Sequence, residues 1–254
     1  MLKKMFVSLL GLLLLASCAS KKDYVYLQNI DTLKLNTSSF ETVLQPDDLV
    51  SVLVLGENPT LVAPYNSPTA STFVQQENNM AVQLVPQNYL IANDNTINLL
   101  VIGEVTIGGL TKKQAEDVII EKLSKYLVKP SIDLRILNYK ISVQGEVNRP
   151  GTYPITSERI TIMEALSLAG DLTTFGKRHN VLVIREQNGS KVIERIDLTQ
   201  ADFINSPYYY LQQNDLVYVE PNKTKINGAV VGPNIGIIFS GISLLITVIA
   251  LTAR

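Results

Sequence analysis

Apolar residues run from Ile235 to Ala253 (IGIIFSGISLLITVIALTA) with no charge and no proline among them. At about 1.5 Å per residue a helix over this stretch is roughly 28 Å long, close to the ~30 Å hydrocarbon core of a bilayer. The pattern predicts a membrane-spanning helix over 235–253. Its faces differ: Gly236, Ser240, Ser243 and Thr247 follow one another at helical spacing, and bulky aliphatic residues fill the remaining positions. A small and polar stripe lets helix backbones approach closely or meet water, so it is a candidate lumen-facing or helix-packing side. A plain anchor with scattered hydroxyls is the simpler alternative.

Upstream, the pattern alternates between strand and helix periods. Residues 19–41 are polar with scattered aromatics and read as a tether. Pro46-Asp47-Asp48 turns into an apolar strand from Leu49 to Val54. Residues 56–79, with three prolines, read as a long excursion from the sheet. Short strands follow at 80–85, 88–92 and 96–102. Thr111 with Gln114 is a capping-box pattern, and Ala115, Val118, Ile119, Leu123, Tyr126 and Leu127 give one buried helix face. Strands at 132–137, 140–147 and 152–155 come next. Thr161 with Glu164 opens a second capped helix that Gly170 can end in the left-handed conformation. Strands at 180–186 and 191–197 flank an Asn188-Gly189 hairpin signal, a helical turn is expected near 198–204, and a last strand covers 216–220. The pattern makes an α+β protein with mixed or antiparallel sheets, in two stretches that each carry one capped helix.

The N-terminal end carries another membrane address. Lys3 and Lys4 precede an apolar run from Met5 to Leu15, too short to span, and then Leu15-Ala16-Ser17-Cys18. Cys18 is the only cysteine, so no disulfide is available. Removing residues 1–17 takes away two lysines, leaving 20 basic residues against 23 acidic ones and a net charge of about −3. No basic patch of the kind that grips phosphate backbones is present, which argues against nucleic acid. Roughly 190 to 200 residues lie between the two membrane addresses, enough for one large or two small domains.

Several stretches resemble known families. Leu15-Ala16-Ser17-Cys18 resembles a bacterial lipobox, which implies a lipoprotein signal peptide at 1–17 and diacylglycerol with an acyl lipid on Cys18. QPDDLVSVLV and YLIANDNTINLLVIGEVTIGGLTKKQAEDVIIEKLSKYLVKPSIDLRIL resemble the Wza-like polysaccharide export domain. ISVQGEVNRPGTYPITSERITIMEALSLAGDL, closed by YYYLQQNDLVYVEP, resembles an SLBB domain, a β-grasp module. Gly145-Glu146-Val147, Pro150-Gly151, Tyr153 and Ala169-Gly170 are the most specific part. The organisation implied is a lipidated tether at 18–41, a polysaccharide export domain at 42–138, an SLBB β-grasp domain at 139–221, a linker at 222–234 and a C-terminal membrane helix at 235–253.

The resemblance further implies a ring-shaped homo-oligomer in the outer membrane of a Gram-negative bacterium, lipid-anchored, with a largely periplasmic body. Capsular or exopolysaccharide would leave through its lumen, with an inner-membrane polysaccharide co-polymerase as partner. The sequence departs from the family at three places: Asp47 and Asp171 stand where glycine is common, and Leu99-Leu100-Val101-Ile102 lacks a frequent proline. One SLBB unit fits where the longest relatives carry two, which leaves the reach to the inner membrane open.

Candidate chemistry is sparse, and no cofactor is expected besides the lipid. His179, the only histidine, lies in a polar stretch with no nucleophile elbow or partner ligands for a metal. Asp47 and Asp48 are neighbours whose side chains would point apart, unlike a glycosidase pair. No enzyme is visible. Tyr208, Tyr209 and Tyr210 are candidate glycan-stacking residues or, equally, packing residues. The rival functional reading is a membrane-anchored module that binds glycan or a partner protein without forming the pore.

Overall fold

The computed structural model describes residues 21–34, 41–66, 73–76, 79–82, 86–187, 189–232 and 235–252. Two apolar cores form. The first is built on the antiparallel sheet β4-β1-β7, with β1 (Leu49–Leu55) paired to β4 (Gln87–Leu90) on one side and to β7 (Ser131–Ile136) on the other. Val50, Val52 and Val54 of β1 are buried with Leu134 against the helix α2 (Lys112–Leu123). The predicted capping box starts this helix: Thr111 Oγ1 accepts from Gln114 N, and Thr111 N donates to Gln114 Oε1. Ala115, Ile119 and Leu123 form its buried face. Val118 and Leu127 of the predicted face also pack against this core, whereas Tyr126, past the helix end, is exposed.

The second core sits on a five-stranded mixed sheet ordered β12-β11-β14-β8-β9. Its strands are β8 (Lys140–Gly145), β9 (Gly151–Pro154), β11 (Gly176–Gln187), β12 (Ser190–Ile196) and β14 (Leu216–Pro221). The pairing of β14 with β8 is parallel and the others are antiparallel. Ile162, Ala165 and Leu166 of α3 (Ile162–Leu168) pack into this core with Ile141, Val143, Val181, Val183, Val217 and Val219. The Thr161–Glu164 capping box is present, and Gly170 ends the turn at φ +74°. Gly145, at φ +91°, lies so close to β14 that a Cβ would stand 2.1 Å from Val219 O.

Several elements differ from the expectation. The excursion over 56–79 contains a short helix, α1 (Pro59–Val62), and β2 (Phe73–Gln76), which pairs with β3 (Asn79–Val82). Asn66 in it is buried and exchanges two hydrogen bonds with the main chain of Val54, which pins the excursion to the sheet. The strand predicted over 96–102 ends early as β5 (Thr96–Leu99), and an unexpected strand, β6 (Gly103–Thr106), pairs with it. Between them Val101 sits at φ +71°, with Ile102 N donating to Leu100 O, a three-residue turn that is rare for a β-branched residue. A two-stranded ladder of β10 (Ile160–Thr161) and β13 (Tyr210–Leu211) was also missed, and the predicted linker is helical over α4 (Lys223–Val231).

The C-terminal apolar stretch is helical as α5 (Ile235–Thr252). Among the described residues no helix is long and apolar enough to cross a membrane, so the membrane-spanning helix expected over 235–253 finds no support there.

Asp47 adopts φ +68° and Asp171 φ +67°, so both aspartates occupy left-handed positions. Asp48 behind the first is 1% exposed; its Oδ2 accepts from Gln45 N at 2.9 Å, while Oδ1 has no hydrogen-bond partner. Burial, against the Gln45 hydrogen bond, pushes its carboxyl from 3.8 to about 6. A raised carboxyl favours folding where it is protonated in both states, below about pH 4, and that contribution disappears as pH rises through about 6. Denaturant titrations should therefore show wild type losing on the order of 2 kcal/mol between pH 4 and 7 relative to Asp48→Asn. A constant gap between the two proteins across that window would refute this. Gly145→Ala should lower unfolding free energy by about 3 kcal/mol, because the new methyl must displace the β14 backbone.

Candidate functional site

The helix α5 carries the candidate stripe. Every α5 residue whose side chain is described is exposed, from Ile237 at 73% to Leu251 at 72%. Gly236, Ser240, Ser243 and Thr247 share one face, and a shallow groove there is lined by Phe239, Ser240, Ser243, Leu244, Thr247 and Val248. Ser240 Oγ donates to Gly236 O at 2.7 Å, and Thr247 Oγ1 to Ser243 O at 2.8 Å. Both hydroxyl protons are thus spent on the helix's own carbonyls, leaving oxygen lone pairs outward. The stripe is narrow, close-packing and weakly polar.

Its root is fixed to the second domain. Asn222 N donates to Phe175 O at 2.7 Å, and Asn222 Oδ1 caps α4 by accepting from Lys225 N. Lys225 Nζ lies 5.3 Å from the Phe175 ring centre and 3.5 Å from Glu146 Oε1. The loop that holds this root also holds the N-terminal segment. Tyr24 OH donates to Thr174 O at 2.7 Å, and Tyr26 OH donates to Asp171 Oδ1 at 2.6 Å. The Arg178 guanidinium stands 5.1 Å from the Tyr24 ring centre and 5.3 Å from that of Tyr26. Leu27 N and Gln28 N donate to Leu198 O and Thr199 O. Residues 24–28, within the stretch expected as a tether, are therefore seated on the second domain, beside the root of α4. Cys18 lies outside the described residues.

The three tyrosines are half-buried, and each makes packing contacts within the fold. Tyr208 and Tyr209 are packed against the second core, and Tyr209 meets Tyr210 edge-on at 4.9 Å. Arg185 lies 4.7 Å from the Tyr208 ring centre and Arg159 5.2 Å from that of Tyr210. Arg185 itself is 3% exposed and forms a two-pronged pair with Asp215, which is fully buried; its nearest contact is 2.7 Å. Asp215 Oδ2 also accepts from Gln212 N, and Arg185 donates to Tyr210 O. Burial pushes the Asp215 carboxyl up against the opposing pull of Arg185. This network ties the segment before β14 to the sheet beside the tyrosine run, and no local pattern in the sequence marks its centre.

The remaining candidates stay apart. His179 lies exposed on β11, not in a loop, and Asp47 is exposed while Asp48 is buried. No group of three or more potential metal ligands occurs among the described residues.

Comparison with known proteins adds the family context. Residues 36–137 match the model of the polysaccharide biosynthesis/export protein family, and residues 139–219 match the SLBB domain. The chain is 26% identical over 214 residues to the EPS I polysaccharide export outer membrane protein EpsA of Ralstonia solanacearum, covering 82% of this chain and 56% of that protein. It is 25% identical over 194 residues to the protein of the same name from Ralstonia nicotianae, covering 74% of this chain and 50% of that one. The chain thus spans about half the length of these relatives.

The seated N-terminal segment generates a direct expectation. Tyr26→Phe removes one side-chain hydrogen bond, a loss of about 1 kcal/mol. Amide exchange at Leu27 and Gln28 should accelerate roughly fivefold, the open-state population that such a loss implies. Unchanged protection would mean that the backbone pairing alone holds the segment.

Proposed function

We propose that this chain, in which a region matching the polysaccharide biosynthesis/export proteins is followed by an SLBB domain, is an outer-membrane lipoprotein whose copies form a ring-shaped channel for capsular or exopolysaccharide. The observation that carries this reading is α5. An uncharged 18-residue helix with bulky apolar side chains exposed along its length cannot rest in water without a partner surface. A lipid phase outside and neighbouring copies at the side would satisfy it. In a ring, Gly236, Ser240, Ser243 and Thr247 would face adjacent helices or the lumen, and the aliphatic residues would face lipid.

The names of the Ralstonia relatives support the location and the cargo class. Diacylglycerol on Cys18 would supply the second attachment, and residues 24–28, seated close to the α4 root, would direct it toward the same pole of the body. The body would then extend into the periplasm toward an inner-membrane polysaccharide co-polymerase. The channel's part is passive: it offers a hydrated path, and the energy comes from the polymerising side. Tyr208 faces Arg185 and Tyr210 faces Arg159, contacts that favour packing over the rival module that binds glycan without forming a pore.

Ser243→Leu or Thr247→Leu should cut surface polysaccharide at least tenfold while leaving lipidation at Cys18 intact. Undiminished export in these variants would remove the stripe from the mechanism. Native mass of the gently extracted full-length protein should correspond to a closed, rotationally symmetric ring. A monomer or dimer would end the channel reading.

A further inference from the structure

The two matched regions abut, leaving Asn138 alone between residues 137 and 139. A single residue still has two free backbone dihedrals, so a short linker limits the angle between the domains without fixing it. The side chain of Asn138 is turned back into the first domain. Its Oδ1 accepts from Leu49 N at 2.9 Å, and its Nδ2 donates to Asp47 O at 2.9 Å. Its main-chain oxygen faces the second domain, where it accepts from Gln213 Nε2 at 2.9 Å. Gln213 is 5% exposed, and its Oε1 accepts from Lys140 N at 2.8 Å. Two side-chain amides thus grip both sides of the joint with four hydrogen bonds. Asp47, which presents the carbonyl, is held at φ +68°, so the turn is shaped to deliver it.

We infer that Asn138 and Gln213 act as positioning residues, an amide lock that makes the export and SLBB domains one rigid body at a fixed angle. The inference rests on the ring reading for its purpose. A closed ring requires every copy to turn by the same angle, and a loose joint would let the two domains of one copy demand different angles. The other contacts between the domains do not replace the lock. Lys112 reaches Glu158 Oε1 at 2.5 Å and Thr42 Oγ1 donates to Glu158 O at 3.0 Å, but the Glu158 side chain is 82% exposed and such surface contacts hold little. Ile136 packs against both cores, yet it is only partly buried and sets no angle by itself.

The test uses the full-length protein with spin labels at Lys113→Cys and Lys191→Cys, one in each domain. The otherwise unaltered protein should give a single narrow distance distribution. Asn138→Ala and Gln213→Ala should each widen it at least twofold, with an unchanged circular dichroism spectrum, and native mass should shift from closed rings to a mixture of smaller species. A folded Asn138→Ala protein with the original narrow distribution would overturn the lock. Should that variant not fold, Asn138→Asp serves. It keeps the acceptor for Leu49 N, loses the donor to Asp47 O, and should widen the distribution by a smaller amount; no widening overturns the lock. Widened distances with rings of unchanged symmetry would overturn its part in closure. A parent protein that forms no ring but responds at the joint would fail the channel reading and leave the lock standing.

Discussion

The parallel pairing of β8 with β14 is the constraint through which the rest of the molecule is connected. β8 enters directly from the joint at Asn138, and β14 leads directly into the capped root of α4. Their contact is unusually close at its far end, where Glu146 N donates to Val219 O and Gly145 leaves no room for a side chain. A displacement of the export domain therefore reaches the C-terminal helices across one pair of strands rather than through a flexible tail. Both neighbours of this pair, β9 and β11, are antiparallel, so the only parallel register in the sheet is the one that links the two ends of the body.

The same sheet explains how a run of three tyrosines comes to pack against the fold. Arg185 from β11 and Asp215 from the turn before β14 are buried together, and each also bonds main chain. A buried pair of this kind adds little net stability beside a well-packed apolar alternative, but removing one member leaves a costly bare charge. Its effect is specificity: it fixes the 208–215 segment over the sheet, and the tyrosines close the apolar edge around it. Aromatic residues in a row read alike in sequence whether they stack on sugar or on a guanidinium.

Much of this was legible in the sequence where the information is local. Both capping boxes, at Thr111 with Gln114 and Thr161 with Glu164, form as read, because cap and partner are three residues apart. The departures from the family pattern at Asp47 and Asp171 are left-handed positions in the structure, and so is Val101, within the stretch that lacks the family's proline. The backbone demand persists although the glycines are gone. Asp171 also explains itself chemically, since its carboxylate bonds Leu172 N and Tyr26 OH. What the sequence hid is non-local: the short ladder of β10 with β13, the seat of the N-terminal segment, and the helix in the supposed linker. Each depends on partners many residues away or on a cap, Asn222, that a turn-rich composition disguised.

The seat of residues 24–29 has a consequence in time. Its partners lie 145 to 173 residues further along the chain, at Asp171, Thr174 and Asp202. A chain that emerges N-terminus first cannot complete these contacts until both domains are largely made, and closing so long a loop is entropically slow. The segment is consequently unoccupied during synthesis and translocation, while the proposed processing at Cys18 would take place, and it is seated only at the end. Folding itself would then act as the timer that draws the finished anchor against the body.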